Sequence, residues 1–192
     1  MGKITYPRKP EESFFKTDKI FYHGYFPEYV KIAAELGPDA RVCEIGVYGG
    51  ESLRMFQSLF PLGTVLGVDI DRAARWPDGT LGIISAQDDP QLPEIISEMH
   101  GISLFDLIVE DASHDGKLSR KTFEIMWPQV NPGGFYVLED WFIGLPVSAA
   151  IRGYSVPSML TTAESFLSLL AWDSDCESVH YRYGMAILRK KA

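Results

Sequence analysis

Short apolar runs alternate with amphipathic helical segments along most of this chain, and this alternation restricts its fold more than any other feature. The predicted strands are residues 41–45, 64–68, 81–84, 104–109 and 135–138. The predicted helices are residues 27–36, 52–60, 90–99 and 118–127. Strands that alternate with helices form a parallel sheet with helices on both faces.

The C-terminal part departs from this alternation. Residues 158–170 have helical spacing, and residues 178–182 and 185–188 are predicted to form a hairpin through Tyr183 and Gly184. We therefore expect an α/β fold: a Rossmann-like, seven-stranded, mostly parallel sheet with helices on both faces and a C-terminal antiparallel hairpin. With 192 residues, 46% of them hydrophobic, a single globular domain is expected.

Charge and cysteine content exclude several classes of function. The net charge of -8 would repel a nucleic-acid backbone, so no nucleic-acid partner is expected. Cys43 and Cys176 are the only cysteines and are far apart, which indicates neither a disulfide framework nor a zinc site. No apolar run approaches the roughly 18 residues that a membrane span requires. We expect a soluble, cytoplasmic protein.

The first predicted strand ends in a glycine-containing turn, VCEIGVYGGES, residues 42–52. A dinucleotide-binding turn reads G-x-G-x-x-G, and its middle glycine lets the backbone approach a pyrophosphate. That glycine is missing, because the letters VY follow Gly46. The turn instead combines the acidic Glu44 with Gly46 and Gly50, which favours a cationic ligand without a pyrophosphate.

S-adenosylmethionine is such a ligand, and its ribose hydroxyls can be bound by an acid at the end of a strand. Asp69 ends the second strand, and Gln87 and Asp88 follow the third. All of these lie at the carboxyl ends of strands, where ligands bind in sheets of this kind. The alternative is that the glycines only allow a tight turn and Asp69 is simply hydrated.

Acidic residues and a histidine follow the next two strands. Asp111 and His114 come after residues 104–109, and Glu139 and Asp140 come after residues 135–138. Three carboxylates that converge from adjacent strands need a cation between them, and oxygen ligands favour Mg²⁺ over zinc. Such a site suits the deprotonation of a hydroxyl by His114 and its direct methylation.

A purely structural interpretation of the same residues stays open at this point. Ser113 or Asp115 is a possible cap for the following helix, and acids at strand ends are often only hydrated. His100 and His180 need no catalytic explanation, because the first ends a helix and the second lies in the hairpin.

Six motifs make the chain resemble the class I S-adenosylmethionine-dependent methyltransferases, and among them the metal-dependent macrolide-sugar O-methyltransferases of the mycinamicin and tylosin type. They are TDK at 17–19, HGY at 23–25, EIGVYGGESL at 44–53, GVDID at 67–71, EDASH at 110–114 and NPGGFYVLED at 131–140. The specific part is the D-x-S-H stretch combined with the later E-D pair. The motifs are collinear and span most of the chain.

The resemblance implies a role for particular residues. Asp111, Glu139 and Asp140 would hold Mg²⁺, and His114 would be the catalytic base. The residues implied to bind the cofactor are Glu44, Gly46, Tyr48, Gly50, Ser52, Asp69, Gln87, Asp88 and Asp111. Residues 1–38 would form an N-terminal segment over the cofactor, and residues 39–192 would form the methyltransferase domain. Lys19, His23 and Tyr25 are further candidate site residues within the N-terminal segment.

The chain also departs from the family's usual D-D-G-S-H sequence. Glu110 and Ala112 replace the first aspartate and the glycine, and Trp141 directly after the acid pair is a candidate wall of the acceptor pocket. Family members commonly self-associate, so Trp172, Phe166 and the C-terminal hairpin are candidates for a contact between copies, although burial in the core is the favoured use.

The expected function is S-adenosylmethionine- and Mg²⁺-dependent O-methylation of a sugar, diol or catechol-like small molecule in natural-product or antibiotic biosynthesis. Metal-independent N- or C-methylation and a non-catalytic S-adenosylmethionine-binding module remain alternatives. The missing pyrophosphate turn disfavours a dinucleotide-dependent oxidoreductase.

Overall fold

A seven-stranded sheet forms the centre of the protein in the computed structural model, which describes residues 15–143, 157–171 and 174–192. The strands are β1 (Arg41–Ile45), β2 (Thr64–Asp69), β3 (Leu81–Ile84), β4 (Phe105–Glu110), β5 (Val130–Leu138), β6 (Cys176–Arg182) and β7 (Met185–Lys190). Their order in the sheet is β3-β2-β1-β4-β5-β7-β6. The strands from β1 to β5 pair in parallel, whereas β7 is antiparallel to both of its neighbours.

The described α-helices cover both faces of the sheet. They are α1 (Asp18–Phe21), α2 (Phe26–Leu36), α3 (Glu51–Leu59), α4 (Leu92–His100), α5 (Gly116–Met126) and α6 (Leu160–Ser165). Alternate side chains of each strand point to opposite faces. On β1, Cys43 and Ile45 pack in the core with α4 and α5, whereas Val42 packs with α2 and α3. The predicted fold class and hairpin are confirmed.

The sheet order reverses between β1 and β4, because the chain runs outward from β1 to β2 and β3 on one side and from β4 to β5 on the other. Loops that leave the carboxyl ends of two such strands diverge, and the crevice between them is the usual ligand site of an α/β sheet. The glycine turn after β1 and the loop with Asp111 and His114 after β4 flank this crevice.

Several boundaries differ from the predicted ones for identifiable reasons. Strand β5 begins at Val130 instead of Phe135, because a register shift between Phe105 and Leu107 admits the proline and glycines of its first half. The predicted helix 158–170 becomes α6 followed by a 3-10 helix, Phe166–Leu170. Serine hydroxyls in this segment bond to carbonyl groups three residues earlier, and such bonds compete with regular helix.

No helix in the described part of the chain has both the length and the apolar character needed to span a membrane. Phe166 is fully buried, so it is a core residue and not an exposed contact. Trp172, the other candidate for self-association, lies outside the described residues.

Candidate functional site

A cavity of about 680 Å³ opens at the carboxyl ends of the parallel strands. Small-molecule sites in proteins usually have a volume of this order. Most of the predicted site residues line it: Gly46, Tyr48, Ser52, Asp69, Gln87, Asp88, Asp111 and His114. Glu44, Gly50, Glu139, Asp140 and Trp141 are not among its lining residues. The N-terminal segment also contributes to it through Lys16, Thr17, Asp18, Lys19 and Tyr22.

Glycine is required at two positions of the turn after β1. A Cβ atom on Gly46 would lie 2.0 Å from the backbone oxygen of Asp111, and Gly46 has a φ of 96°. A Cβ atom on Gly50 would lie 2.3 Å from the backbone oxygen of Arg75, again at a positive φ. Gly46 therefore lets the β1 turn approach the end of β4, and Gly50 shapes the start of α3 from outside the cavity.

Asp69 joins the second strand to the glycine turn. Its Oδ2 accepts hydrogen bonds from the backbone N–H groups of Val47 at 2.8 Å and Tyr48 at 2.9 Å, and its Oδ1 accepts one from Asp71 N–H. A carboxylate has about four acceptor positions, so capacity remains for a ligand hydroxyl. Asp69 is therefore a fixed acceptor on the cavity wall.

Gln87 supports the loop that carries His114. Its Nε2 donates at 3.0 Å to both Glu110 and Thr122, and its Oε1 accepts from Ser113 N–H at 3.1 Å. Burial raises the pKa of Glu110 to about 8. The side-chain amide of Gln87 is largely used by these protein contacts, so its main visible role is to position the loop.

A cage of three carboxylates surrounds the ammonium group of Lys19. The Nζ atom lies 2.5 Å from Asp111 Oδ2, 2.8 Å from Glu139 Oε2 and 3.3 Å from Glu44 Oε1. We call Glu44, Asp111 and Glu139 the carboxylate cage. Lys19 is only 1% exposed, and a buried ammonium is tolerated only when it is paired in this way.

Two buried tyrosines extend the cage. The hydroxyl of Tyr29 donates to Glu139, and the hydroxyl of Tyr25 donates to Asp140 at 2.5 Å. Burial and the adjacent carboxylates raise the pKa of both phenols, so they remain donors. His23 Nδ1 also lies 3.6 Å from Asp140 Oδ1. Every buried acid of this region therefore has a partner from the N-terminal half of the chain.

The cage holds more carboxyl groups than its single ammonium neutralises. Burial lowers the pKa of Lys19, but Asp111, Glu139 and Glu44 outweigh that effect and hold it above its usual range. Burial raises the pKa of Glu139 despite Lys19, and raises that of Glu44 to about 7. The cage with the adjacent Asp140 therefore favours additional positive charge.

His114 lies at the border between the cavity and the cage. Its Nε2 is 3.9 Å from Asp111 Oδ1, and its buried Nδ1 has no hydrogen-bond partner within the described residues. Asp115 caps α5 by accepting from the N–H groups of Lys117 and Leu118. The capping role suggested for Asp115 is thus confirmed, while the Nδ1 of His114 is buried without a partner among the described residues.

Backbone strain is concentrated in the same region. Tyr48, His114 and Asp140 adopt φ values of 50°, 53° and 53° without being glycine. Such a conformation is uncommon for these residues and persists where the surroundings enforce it, often at functional sites.

The donor chemistry fits a hard divalent ion, but the present arrangement differs from a finished metal site. Among the described residues, no group of three His, Cys, Asp or Glu side chains is arranged to hold a metal. Asp111 and Glu139 converge on one point, as expected, but Lys19 lies at that point, and Asp140 is bonded to Tyr25. The sequence indicated Lys19 only as a minor candidate. It did not indicate Tyr29 as a site residue at all. The helical spacing of α2 predicts only that Tyr29 is buried.

Comparison with known proteins gives several relatives, although no protein-family model matches the chain. The L-olivosyl-oleandolide 3-O-methyltransferase of Streptomyces antibioticus is 33% identical over 170 residues, which cover 84% of this chain and 42% of that protein. The mycinamicin VI 2''-O-methyltransferase of Micromonospora griseorubida is 33% identical over 147 residues, 69% of this chain and 36% of that protein. The chain spans less than half the length of these relatives.

Solved structures agree with the sequence comparison. The methyltransferase MycE from the mycinamycin biosynthetic pathway, in complex with Mg, SAH and mycinamycin VI, is 28% identical with a TM-score of 0.81. The match covers 96% of this chain and 55% of that one. The tomaymycin O-methyltransferase of Streptomyces achromogenes, in complex with SAM, shares the fold at 19% identity and a TM-score of 0.61, with 86% of this chain and 80% of that one covered. By sequence and by fold, the chain belongs to the class I S-adenosylmethionine-dependent methyltransferases and resembles the macrolide-sugar O-methyltransferases.

Proposed function

We propose that the chain carries the catalytic domain of an S-adenosylmethionine- and Mg²⁺-dependent O-methyltransferase. The acceptor would be a hydroxyl of a small molecule, such as a sugar on a natural product in antibiotic biosynthesis. The observation that carries the proposal is the position of Asp111, which lines the cavity beside His114 and belongs to the carboxylate cage. A hydroxyl that reaches Asp111 would lie between a cofactor-sized cavity and a group of buried acids.

The proposed cofactor site is the cavity itself. Asp69 would accept hydrogen bonds from the ribose, and Gly46, Tyr48 and Ser52 would surround the rest of the ligand at the turn after β1. Gln87 and Asp88 also line the cavity, whereas Glu44 and Gly50 would act from behind its wall. Bound S-adenosylmethionine would supply an electrophilic methyl group on its sulfonium.

Asp111, Glu139 and Asp140 are the proposed metal ligands, because oxygen donors suit Mg²⁺. A bound ion would supply positive charge that favours the ionised form of a substrate hydroxyl. The two last acids lie at the end of β5, next to the end of β4 that presents Asp111. The protein itself would therefore hold all three ligands on adjacent strands.

His114 is the proposed general base. A neutral imidazole accepts a proton at one ring nitrogen, and His114 lines the cavity beside Asp111. The positive charge that results would lie next to Asp111, 3.9 Å from Nε2, and that carboxylate stabilises it. The backbone at His114 has a positive φ, and this turn would set the direction in which the imidazole side chain leaves the loop.

We further propose that residues 1–38 form a segment over the cofactor, with residues 39–192 as the methyltransferase domain. The support comes from residues 16–22, five of which line the cavity. Residues 1–14 lie outside the described part of the chain. A cytoplasmic location is also proposed, because both cysteines are free thiols.

The second candidate function is a metal-independent methyltransferase in which Lys19 provides the only positive charge in the cage. The ion pairs of Lys19 with Asp111 and Glu139 favour this alternative. It predicts transfer that does not respond to chelation.

An assay of methyl transfer distinguishes the metal-dependent O-methyltransferase from the metal-independent methyltransferase. Purified protein would be incubated with methyl-labelled S-adenosylmethionine and a panel of acceptors, including mycinamicin VI and catechol, with Mg²⁺ or with excess chelator. We expect a labelled O-methyl product with Mg²⁺, loss of product in chelator and recovery when Mg²⁺ is restored. An equal rate in chelator, or label on nitrogen or carbon, would reject the metal-dependent O-methyltransferase.

A further inference from the structure

We propose that the ammonium group of Lys19 and a divalent cation are alternative occupants of the carboxylate cage, so that Lys19 must leave before a metal binds. This inference rests on the proposed metal site. It adds a role for Lys19, which is not one of the proposed metal ligands. Lys19 would thereby lower the affinity of the site for metal.

The first support is geometric. Lys19 Nζ lies within hydrogen-bond distance of both Asp111 Oδ2 and Glu139 Oε2, so it occupies the position where these two acids converge. Magnesium binds oxygen at about 2.0–2.1 Å and tolerates little distortion. Two cations cannot share the same pair of oxygen atoms in a space this closed, because they repel each other where solvent does not screen them.

The second support is charge. Glu44, Asp111 and Glu139 face one ammonium, and Asp140 lies at the edge of the same group against Tyr25. A divalent ion would compensate this excess of acids better than a single positive charge does. Lys19 therefore stabilises the metal-free protein and lowers its affinity for metal.

The third support is the element that carries the lysine. Helix α1 is a single turn, Asp18–Phe21, and a turn of this length has little stability of its own. Thr17 caps it by accepting from Lys19 N–H. Lys19 belongs to α1 and to no strand, so displacement of its side chain breaks no hydrogen bond of the sheet. A lysine also has a long, flexible side chain that regains rotamer freedom when it leaves.

The direct test measures the reactivity of the Lys19 amine in the wild-type protein. An amine-reactive reagent with peptide mass spectrometry would be applied without metal and with saturating Mg²⁺, in the absence of cofactor. Lys19 should be protected without metal and labelled at least tenfold faster with Mg²⁺. The control is Lys31, whose side chain is 56% exposed and which should react equally in both conditions.

Metal affinity gives the second test. Calorimetry with Mn²⁺ should show at least tenfold tighter binding to Lys19→Met than to wild type, and unchanged binding to Lys31→Met. If wild type binds metal while Lys19 stays protected, or if Lys19→Met binds no tighter, the exchange is wrong but the metal site stands. If neither protein binds metal, the proposed metal dependence and the exchange are both wrong.

Discussion

Lys19 Nζ lies 2.5 Å from Asp111 Oδ2, although the two residues are 92 positions apart in the sequence. This contact joins the N-terminal segment to the end of β4, and both residues also line the cavity. The proposed cofactor site and the proposed metal site therefore meet at Asp111. Because Asp69 is the proposed acceptor for the ribose and Asp111 is a proposed metal ligand, replacement of Asp111 should lower the rate of methyl transfer more than the affinity for cofactor.

Replacement of Asp111 by asparagine tests this separation. Asp111→Asn should lower methyl transfer by at least about 10², because a neutral amide replaces a metal ligand, while the affinity for S-adenosylhomocysteine changes little. Turnover and calorimetry measure the two quantities. Glu98→Gln on the exposed part of α4 is the control, and an active Asp111→Asn protein would remove this residue from the chemistry.

His114→Ala should lower turnover by roughly 10² to 10⁴, the usual contribution of a general base. The matched control is His180→Ala, because His180 is exposed on β6. Steady-state rates at saturating acceptor measure the effect. A His114→Ala rate equal to that of the control would exclude the proposed base.

The positions of Asp69, Asp111 and Glu139 followed from the sequence because these residues lie at, or directly after, the end of an apolar strand. Loops at the carboxyl ends of parallel strands must meet at one edge of the sheet, so the proximity of Asp69, Asp111 and Glu139 needed no knowledge of side-chain packing. The fold class was predictable for the same reason, since strand and helix periods are local properties of the sequence.

The contents of the cage were not predictable in this way. Lys19 reaches it from a one-turn helix that has no periodic pattern, and Tyr29 looks like any buried residue of α2. Strand alternation does indicate that Glu44 faces α2 and α3 with Val42, and not the other face with Cys43. The partner that fills a buried acidic site depends on long-range packing, which spacing alone does not encode.

Tyr29→Phe should destabilise the protein by about 2 kcal/mol, because Glu139 loses the hydrogen bond from the Tyr29 hydroxyl while it remains buried. The melting temperature should fall by several degrees. Tyr22→Phe, at a side chain that is 87% exposed, should leave it unchanged. Equal melting temperatures for both variants would show that the Tyr29 hydroxyl contributes nothing to stability.

Glu44 should make stability depend on pH. Burial raises its pKa from 4.5 to about 7 in the folded protein, so the folded state binds more protons than the unfolded state between these values. The stability contributed by Glu44 is then complete below about pH 4.5 and is lost as pH rises through 7, by about 3 kcal/mol.

Urea unfolding from pH 5 to 8, in chelator, measures this effect. Glu44→Gln has no ionisable group at this position, so the variant should become more stable relative to wild type, with a larger free energy of unfolding, as pH rises. A constant difference between the two proteins across this range would contradict the raised pKa.

The proposed metal site can be observed directly in a crystal grown with S-adenosylhomocysteine and Mn²⁺. We predict one anomalous density peak bound by Asp111, Glu139 and Asp140, with the nucleoside ribose at Asp69 and the Lys19 side chain moved out of the cage. S-adenosylhomocysteine bound in the cavity with no peak, and with Lys19 still between Asp111 and Glu139, would contradict metal-dependent methylation by this site.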